Sequence, residues 1–438
     1  MKNDYDFGNF LYELRRQAQL TQAELADRLG VTDKAVSKWE NGRAKPGTEL
    51  LRRLSALYGI SVEELLAKRE ETKTMEITKI VLTGGPCAGK TTAMTRIYEH
   101  FENRGYKVLI IPETATELIN GGVSPKTCGT VLDFQVELAK LQLAKEAAFE
   151  NAAKTMNAAK ILIVCDRGIM DGKAYLDPVD YAAWRQKLGA SEVDLRDNYD
   201  AVFHLVTAAK GAAEAYTLSN NAARTETVEE ATVLDDKVIA VWTGHPHLRV
   251  IDNSTDFEDK LRRLLAEIDG FLGEPEPFEI ERKFLIAYPD IRWLETYPSC
   301  RKVEIIQTYL NAPEGGERRV RQRGSDGSFI YVETVKKPIS DIKRVETERR
   351  LTQSEYLNCL LDADMTRHPI RKTRYCLTWE NQYFEIDVYP FWDDKAIVEI
   401  ELQKEDTPVH FPKELKIIKE VTGDPAYKNA ALARNTNV

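Results

Sequence analysis

The glycine-rich stretch GGPCAGKT at residues 84–91 constrains the fold more than any other part of the sequence. It follows a short apolar run, KIVLT, and precedes a segment of helical periodicity, so the chain must pass from a strand through a tight loop into a helix. Gly84 and Gly89 let backbone N–H groups converge at the start of that helix, where the helix dipole attracts anions. With Lys90 and Thr91 they complete the pattern G-x-x-x-x-G-K-[ST], which predicts a loop that binds a nucleoside triphosphate with Mg²⁺; a chance glycine-rich turn is the alternative.

The residues around this loop alternate between short apolar runs and helical patterns. Runs such as VLIIPE, ILIVCD and LRVIDN, separated by helical segments, indicate a parallel sheet with helices on its faces. We therefore predict an α/β nucleotide-binding, kinase-like domain over residues 75–273. Its expected nucleotide-binding residues are Gly84, Gly85, Gly89, Lys90, Thr91, Thr92, Asp166, Arg167 and Arg224.

Charged groups of this segment are candidates for chemistry as well as binding. Asp166 ends the run ILIVC, where a carboxylate would meet Mg²⁺ together with Thr91; a helix cap is the alternative. Glu113 ends the run VLIIP, and would either take a proton from a phosphate acceptor in the crevice at the strand ends or remain a surface acid. Arg224 lies in LSNNAARTETVEE, which we expect to form a lid, and it and Arg167 would either cover phosphates or stay solvated.

The stretches GGPCAGKTT, PETATELI, CDRGIMDGKAY and GHPHLRVIDN resemble the P-loop kinase-like ATPases related to the kinase half of nicotinamide-nucleotide-metabolising proteins. The resemblance spans about residues 77–272. It implies binding of ATP or GTP, although no motif separates adenine from guanine. Whether the domain is a kinase, an ATPase or a switch stays open.

After residue 277 the sequence changes to strands in which charged and apolar residues alternate. Glu279, Glu281 and Lys283 share one strand face, and Arg319 and Arg321 share another, because successive side chains of a strand point to opposite faces. One such strand is usually a solvated face. Seven of them, with clustered acids and clustered bases, fit a barrel with a charged interior, which requires a charged ligand and a hard divalent cation.

The same strands resemble the CYTH, or triphosphate tunnel metalloenzyme, family over about residues 277–435. The signature E-x-E-x-K stands at Glu279, Glu281 and Lys283, and QTYL, RRVRQR, ETVKK, RVETER, KTRY, FEID and VEIE follow in the family's order. The resemblance implies an eight-stranded antiparallel α+β tunnel that hydrolyses triphosphates with Mg²⁺ or Mn²⁺.

The resemblance also implies roles for individual residues. Glu279, Glu281 and a late-strand acid, Glu399 or Glu401, would bind the metal ion. The bases that would clamp the triphosphate are Lys283, Arg319, Arg321, Lys336, Arg344, Lys372 and Arg374. Lys336 and Lys337 remain alternatives, because ETVKK fits either strand register. The metal-activated water would attack the terminal phosphoryl group, with the bases offsetting its charge.

The first 70 residues carry short helical patterns broken by glycines, which predict an all-α helix-turn-helix bundle. LTQAELADRLGVTDKAVSKWENGRAKP resembles the lambda-repressor-type helix-turn-helix family. The resemblance implies DNA contacts by Asp33, Lys34, Ser37 and Lys38 to bases, and by Gln22 and Arg43 to phosphates. A net charge of +1 over residues 1–70 is weak for a DNA-binding module, which formation of a homodimer would compensate; a protein-docking role is the alternative.

These segments predict a multidomain protein with domains at residues 1–70, 75–273 and 277–438. No run reaches the roughly 18 apolar residues of a membrane span, and the N-terminal residues lack a secretion signal, so we expect a cytoplasmic location and no membrane partner. The leading hypothesis is a metal-dependent triphosphate or nucleoside-triphosphate phosphohydrolase joined to the other two domains. The alternatives are a nucleotide-responsive transcription regulator whose barrel senses a phosphorylated ligand, and a small-molecule kinase.

Overall fold

The computed structural model describes residues 11–12, 14–16, 18, 20–40, 44–60, 62, 75–212, 214, 227–273, 280–312, 316–338, 344–402 and 406–434. The chain divides into two compact units. The first contains the described residues up to Glu76 with Asn157–Ala159, and the second contains Ile77–Met156 and the described residues from Lys160 onward. The first unit is helical, and the second contains both β-sheets.

Three helices of the first unit pack around one apolar core. They are α1 (Gln22–Leu29), α2 (Asp33–Glu40) and α3 (Thr48–Tyr58). Thr21 and Glu24 form a capping box at the start of α1, so two backbone N–H groups are satisfied there. The buried core residues are Leu11, Leu20, Leu25, Ala26, Leu29, Val36, Trp39, Leu51 and Leu54.

Five strands of the second unit form a parallel sheet in the order β2-β3-β1-β4-β5. Their central segments are buried on both faces, which explains their continuous apolar sequences. The strands are β1 (Glu76–Gly84), β2 (Lys107–Ile111), β3 (Lys160–Asp166), β4 (Ala201–Leu205) and β5 (Leu248–Ile251).

Helices connect these strands. They are α4 (Lys90–Glu102), α5 (Thr114–Asn120), α6 (Val131–Ala153), a 3₁₀ helix (Ile169–Tyr175), α7 (Pro178–Leu188), α8 (Glu192–Arg196), α9 (Val228–Trp242) and α10 (Phe257–Phe271). The end of the segment expected to form a lid begins α9, where Thr227 and Glu230 form a capping box. The rest of that segment, with Arg224, lies outside the described residues.

Eight antiparallel strands, β6–β13, and a short ninth, β14, form the second sheet, in the order β10-β9-β8-β7-β11-β12-β13-β6-β14. Short helices α11 (Ile291–Thr296), α12 (Gln353–Leu360) and α13 (Asn429–Leu432) accompany it. The strands are β6 (Ile280–Ala287), β7 (Cys300–Leu310), β8 (Glu317–Ser325), β9 (Ser328–Pro338), β10 (Arg344–Leu351), β11 (Ile370–Trp379), β12 (Gln382–Val388), β13 (Lys395–Leu402) and β14 (Ile417–Glu420).

The two faces of this sheet differ in chemistry. Ile386, Val398 and Ile400 belong to a buried apolar cluster against which Ile291 and Trp293 of α11 pack. The alternate positions of the strands form what we call the charged face, which carries Lys283, Arg321, Lys372, Arg374, Asp387 and Glu399. The period-two pattern therefore predicted the two faces correctly.

Candidate functional site

The glycine-rich loop at residues 84–89 requires glycine for steric reasons. Gly84 has φ +148°, and a Cβ atom there would lie 2.2 Å from the Leu205 carbonyl oxygen. Gly89 has φ +89°, and a Cβ atom there would lie 2.4 Å from the Phe257 ring. Since both positions exclude larger residues, the loop backbone stays close to β4 and α10.

The side chain of Lys90 folds back onto the glycine-rich loop. Its Nζ donates to the carbonyl oxygens of Gly84 at 3.1 Å and Gly85 at 3.2 Å. Burial and the nearby Arg167 charge lower the pKa of Lys90 to about 8. Thr91 and Thr92 follow in the first turn of α4, and both are exposed. The loop thus combines a poorly compensated cation with a helix N-terminus, which is an arrangement that favours an anion.

Asp166 at the end of β3 offers a ligand for a cation. Its Oδ1 atom is buried and has no hydrogen-bond partner among the described residues. Burial raises the pKa of Asp166, although the Lys90 charge opposes this effect. An unsatisfied carboxylate oxygen next to the loop fits the predicted Mg²⁺ ligand set of Thr91 and Asp166.

Glu113 and Arg167 form an ion pair that sequence reasoning did not foresee. Arg167 donates through Nε to Glu113 at 2.6 Å and through a terminal nitrogen to Asp171 at 3.0 Å. Arg167 has φ +70°, and its backbone N–H donates to the Leu82 carbonyl, so its position is fixed. Burial raises the pKa of Glu113, but the Arg167 charge and a hydrogen bond from Thr116 outweigh burial and bring it to about 2. Such a weakly basic carboxylate is a poor acceptor of protons near neutral pH.

Asp235 of α9 contacts the loop although no motif marked it. Its Oδ1 accepts from the Gly85 backbone N–H at 2.9 Å and lies 3.0 Å from His204 Nε2. Its Oδ2 accepts from Lys210 Nζ at 2.9 Å. In the sequence, Asp235 stands in an ordinary charged helical segment, LDDKV, which gives no signal that one of its acids is buried.

On the charged face, Arg374 of β11 is the centre of an ion-pair network. It donates to Asp387 at 2.7 Å and to Glu399 at 2.8 Å, and it also pairs with Glu385. Lys372 pairs with the same Asp387, which is fully buried. The buried bases are therefore held in place by acids of the neighbouring strands, since buried charges need partners.

Charges on strands of this face that are not adjacent influence each other. Arg321 of β8 is affected by Arg374 of β11 and Glu385 of β12. Burial and the like charge of Arg319 lower the pKa of Arg321 to about 10, although Glu348 opposes this effect. The positive charge of Arg321 is therefore undercompensated.

Acids show the opposite imbalance at another part of the charged face. Lys283 donates to Glu399 at 2.5 Å and lies 3.7 Å from Glu281. Burial and the neighbouring Glu399 raise the pKa of Glu281. Glu281 and Glu399 could supply part of the ligand set of a divalent cation, since the cation would relieve the repulsion between the two carboxylates. No group of three acidic, histidine or cysteine side chains within the described ranges has metal-binding geometry.

The other predicted residues of this face differ in their placement. The register pairs Lys336 with Glu317 and with Glu346, so Lys336 rather than Lys337 shares the charged face. Glu401 is paired with Arg249 of β5. Arg344 lies in β10, but its side chain is outside the described part of the chain, and so is all of Glu279.

In the first unit, α2 exposes most of the predicted DNA contacts. Asp33, Lys34 and Lys38 are exposed, and Ser37 is half-buried. Gln22 donates its amide to Glu40 at 2.7 Å. Arg15 also pairs with the buried Glu40, at 2.6 Å, so Gln22 belongs to a buried polar network as well as to the helix surface. Arg43 lies outside the described residues.

Comparisons with known proteins match three consecutive parts of the chain. A helix-turn-helix family model matches residues 11–65, and an AAA domain model matches residues 79–260. The C-terminal part is 34% identical over 159 residues to an inorganic triphosphatase of Nitrosomonas europaea, which is 35% of this chain and 96% of that protein. Through this part, the chain belongs to the CYTH family of inorganic triphosphatases.

Other relatives agree with this division. An inorganic triphosphatase of Acetivibrio thermocellus is 30% identical over 158 residues, covering 36% of this chain and 94% of that protein. The crystal structure of an inorganic triphosphatase matches 36% of this chain and 95% of its own, at 31% identity and a TM-score of 0.26.

The N-terminal part also has a curated relative. The HTH-type transcriptional activator BcrR of Enterococcus faecalis is 38% identical over 65 residues, covering 15% of this chain. The chain spans about a third of the length of that activator, 32%. Among the described residues, no helix is both long and apolar enough to cross a membrane.

The Glu113–Arg167 pair predicts a specific pH dependence. Because the pKa of Glu113 is lowered to about 2, the pair stabilises the fold above the ordinary carboxyl pKa and is lost as the pH falls towards 2. Glu113→Gln should therefore lower the free energy of unfolding by up to about 3 kcal/mol at pH 7, and by progressively less as the pH falls from 4.5 to 3. Scanning calorimetry of the second unit measures this difference.

Glu137→Gln is the matched control, since Glu137 pairs with Lys140 on the exposed surface of α6. It should change stability little at any pH. An equal loss for both variants, or a loss at Glu113 that does not diminish in acid, would contradict the assignment.

Proposed function

We propose that this protein is a metal-dependent phosphohydrolase of inorganic triphosphate or nucleoside triphosphates, with the reaction at the charged face. The observation that carries the proposal is the pair of opposite charge imbalances on one face of the antiparallel sheet. Positive charge is undercompensated at Arg321, and negative charge at Glu281. A polyphosphate together with a divalent cation satisfies both.

The bases would bind and orient the phosphate chain. Arg321 and Arg319 supply planar donors that suit bidentate phosphate contacts. Lys372 and Arg374 are held by Asp387 before any ligand arrives, so little side-chain entropy is lost on binding. Lys283, Lys336 and Arg344 complete the proposed set. In this environment the bases would offset the charge that develops on the phosphoryl group.

The acids would hold the cation. Glu281 and Glu399, with Glu279 two residues earlier on the same strand pattern, are the proposed ligands of Mg²⁺ or Mn²⁺. When bound, such an ion neutralises phosphate charge and lowers the pKa of water. Glu401, which pairs with Arg249 of β5, is the alternative late-strand ligand.

The relatives support this choice. Two curated proteins that match nearly end to end are inorganic triphosphatases. We accordingly propose domains at residues 1–70, 75–273 and 277–438, with ATP or GTP bound at Gly84–Thr92 beside Asp166, Arg167 and Arg224. The kinase alternative is less favoured, because the low pKa of Glu113 makes it a weak base.

The triphosphatase proposal predicts that Arg321→Met lowers kcat/KM for tripolyphosphate by about 10²–10³-fold, since a buried cation at the developing charge is lost. Phosphate release with Mg²⁺ or Mn²⁺ measures this effect. Glu281→Gln should produce a comparable loss that higher metal concentration partly restores.

Lys302→Met is the matched control, because Lys302 is exposed on the opposite face of β7. It should retain wild-type rates, and Lys90→Ala should retain hydrolysis of tripolyphosphate. The proposal fails if wild-type protein releases no phosphate with either metal, or if Arg321→Met equals Lys302→Met.

We also propose that the first unit binds DNA through α2, in line with its helix-turn-helix match. Lys34→Glu should weaken binding to a sequence selected from random DNA by about 1–3 kcal/mol. Arg52→Glu on α3 changes the net charge equally and should have a smaller effect. Fluorescence anisotropy at two salt concentrations measures both, and a selection that recovers no preferred sequence would refute the proposal.

A further inference from the structure

Helix α9 touches the phosphate-binding loop near its middle and the antiparallel sheet at its end. Its Asp235 accepts the backbone N–H of Gly85 at 2.9 Å. Thr243, the residue after the last one of the helix, lies eight residues beyond Asp235, which is about 12 Å along a helix axis. One element thus links the loop to the second sheet.

The far end of α9 is bonded to residues that lie on the charged face. Thr243 Oγ1 lies 3.0 Å from Thr378 Oγ1 of β11. Arg323 of β8 donates to the Gly244 carbonyl at 2.5 Å. Arg323 is two residues from Arg321, and Thr378 shares the strand face of Arg374, so these contacts adjoin the proposed triphosphate site.

Tyr383 of β12 adds two bonds to the same connection. Its hydroxyl donates to the His245 carbonyl at 2.9 Å and accepts from the Gly244 N–H at 3.3 Å. Tyr383 shares the strand face of Glu385 and Asp387. The segment Thr243–His245 is therefore fixed by hydrogen bonds to three strands of the sheet, β8, β11 and β12.

The middle of α9, where Asp235 contacts the loop, is sensitive to charge. Burial raises the pKa of Asp235, but His204 and Lys210 outweigh burial and hold it below its usual range, so the side chain is anionic. Phosphates arriving at the loop bring like charge next to this carboxylate and compete for the same cationic surroundings. Occupied and empty loops thus differ in the forces on α9.

The body of α9 is suited to transmit such a change. Val238, Ile239 and Trp242 are buried, and Trp242 Nε1 donates to Asp171 at 2.6 Å. Asp171 in turn holds Arg167 at the nucleotide side. A closely packed helix transmits strain along its length, because its neighbours leave no space in which a local shift could be absorbed.

We propose that α9 couples the two sites, so that a nucleotide in the loop at residues 84–91 changes the affinity of the charged face for triphosphate. The inference rests on the proposed function of that face. By linkage the coupling is reciprocal, so tripolyphosphate changes the affinity for nucleotide by the same factor.

Calorimetric titration tests this coupling on the full chain. Tripolyphosphate is titrated with and without saturating ADP, and with GDP in parallel, since diphosphates are poor mimics of a triphosphate substrate. The expected change in the dissociation constant is about five-fold or more. In the double variant Thr378→Val, Tyr383→Phe, which removes the side-chain hydroxyl contacts of these strands to the end of α9, the change should fall below about two-fold.

Tyr375→Phe is the matched control, because its hydroxyl donates to Glu295 of α11 at 3.3 Å and makes no described contact with α9. It should retain the full change. The coupling inference is overturned if neither diphosphate alters tripolyphosphate binding, or if the double variant and the control shift alike, which would indicate direct competition at one site. If tripolyphosphate does not bind at all, the proposed function fails first.

Discussion

The second sheet depends on compensation between buried opposite charges. Lys372 and Arg374 share the fully buried Asp387, and Lys283 and Arg374 share Glu399. A base left unpaired in this position would lower the free energy of unfolding by several kcal/mol. Pairing offsets the desolvation penalty of the buried charges but adds little net stability. Such a network is a poor way to stabilise a fold. Its value lies in holding charged groups at fixed positions around an anion.

Two parts of the chain thus favour phosphates through different physics. At residues 84–91 the loop uses backbone N–H groups, a helix N-terminus and the single lysine Lys90. The charged face uses side-chain bases from several strands, with acids that hold them and that would also hold a cation. Helix α9 connects these parts, and the hydrogen bonds of Asp235 and Tyr383 make the connection specific rather than a general packing contact.

The sequence predicted the strand–loop–helix at Gly84 and the two faces of the antiparallel sheet, because both depend on local rules of steric space and alternation. It left Lys336 and Lys337 open, since strand register depends on a partner strand. The Glu113–Arg167 pair and the role of Asp235 were not predictable, because each joins residues more than 50 positions apart. The lid expected at LSNNAARTETVEE stays a prediction, because most of that segment lies outside the described residues.

A crystal structure with tripolyphosphate and Mn²⁺, using anomalous scattering to locate the metal, tests the central claim most directly. The expected result is phosphate density against Arg321 and Arg374, with a manganese peak beside Glu281 and Glu399. Tripolyphosphate and manganese found only at the loop of residues 84–91, with the ion pairs of the charged face unchanged, would contradict it.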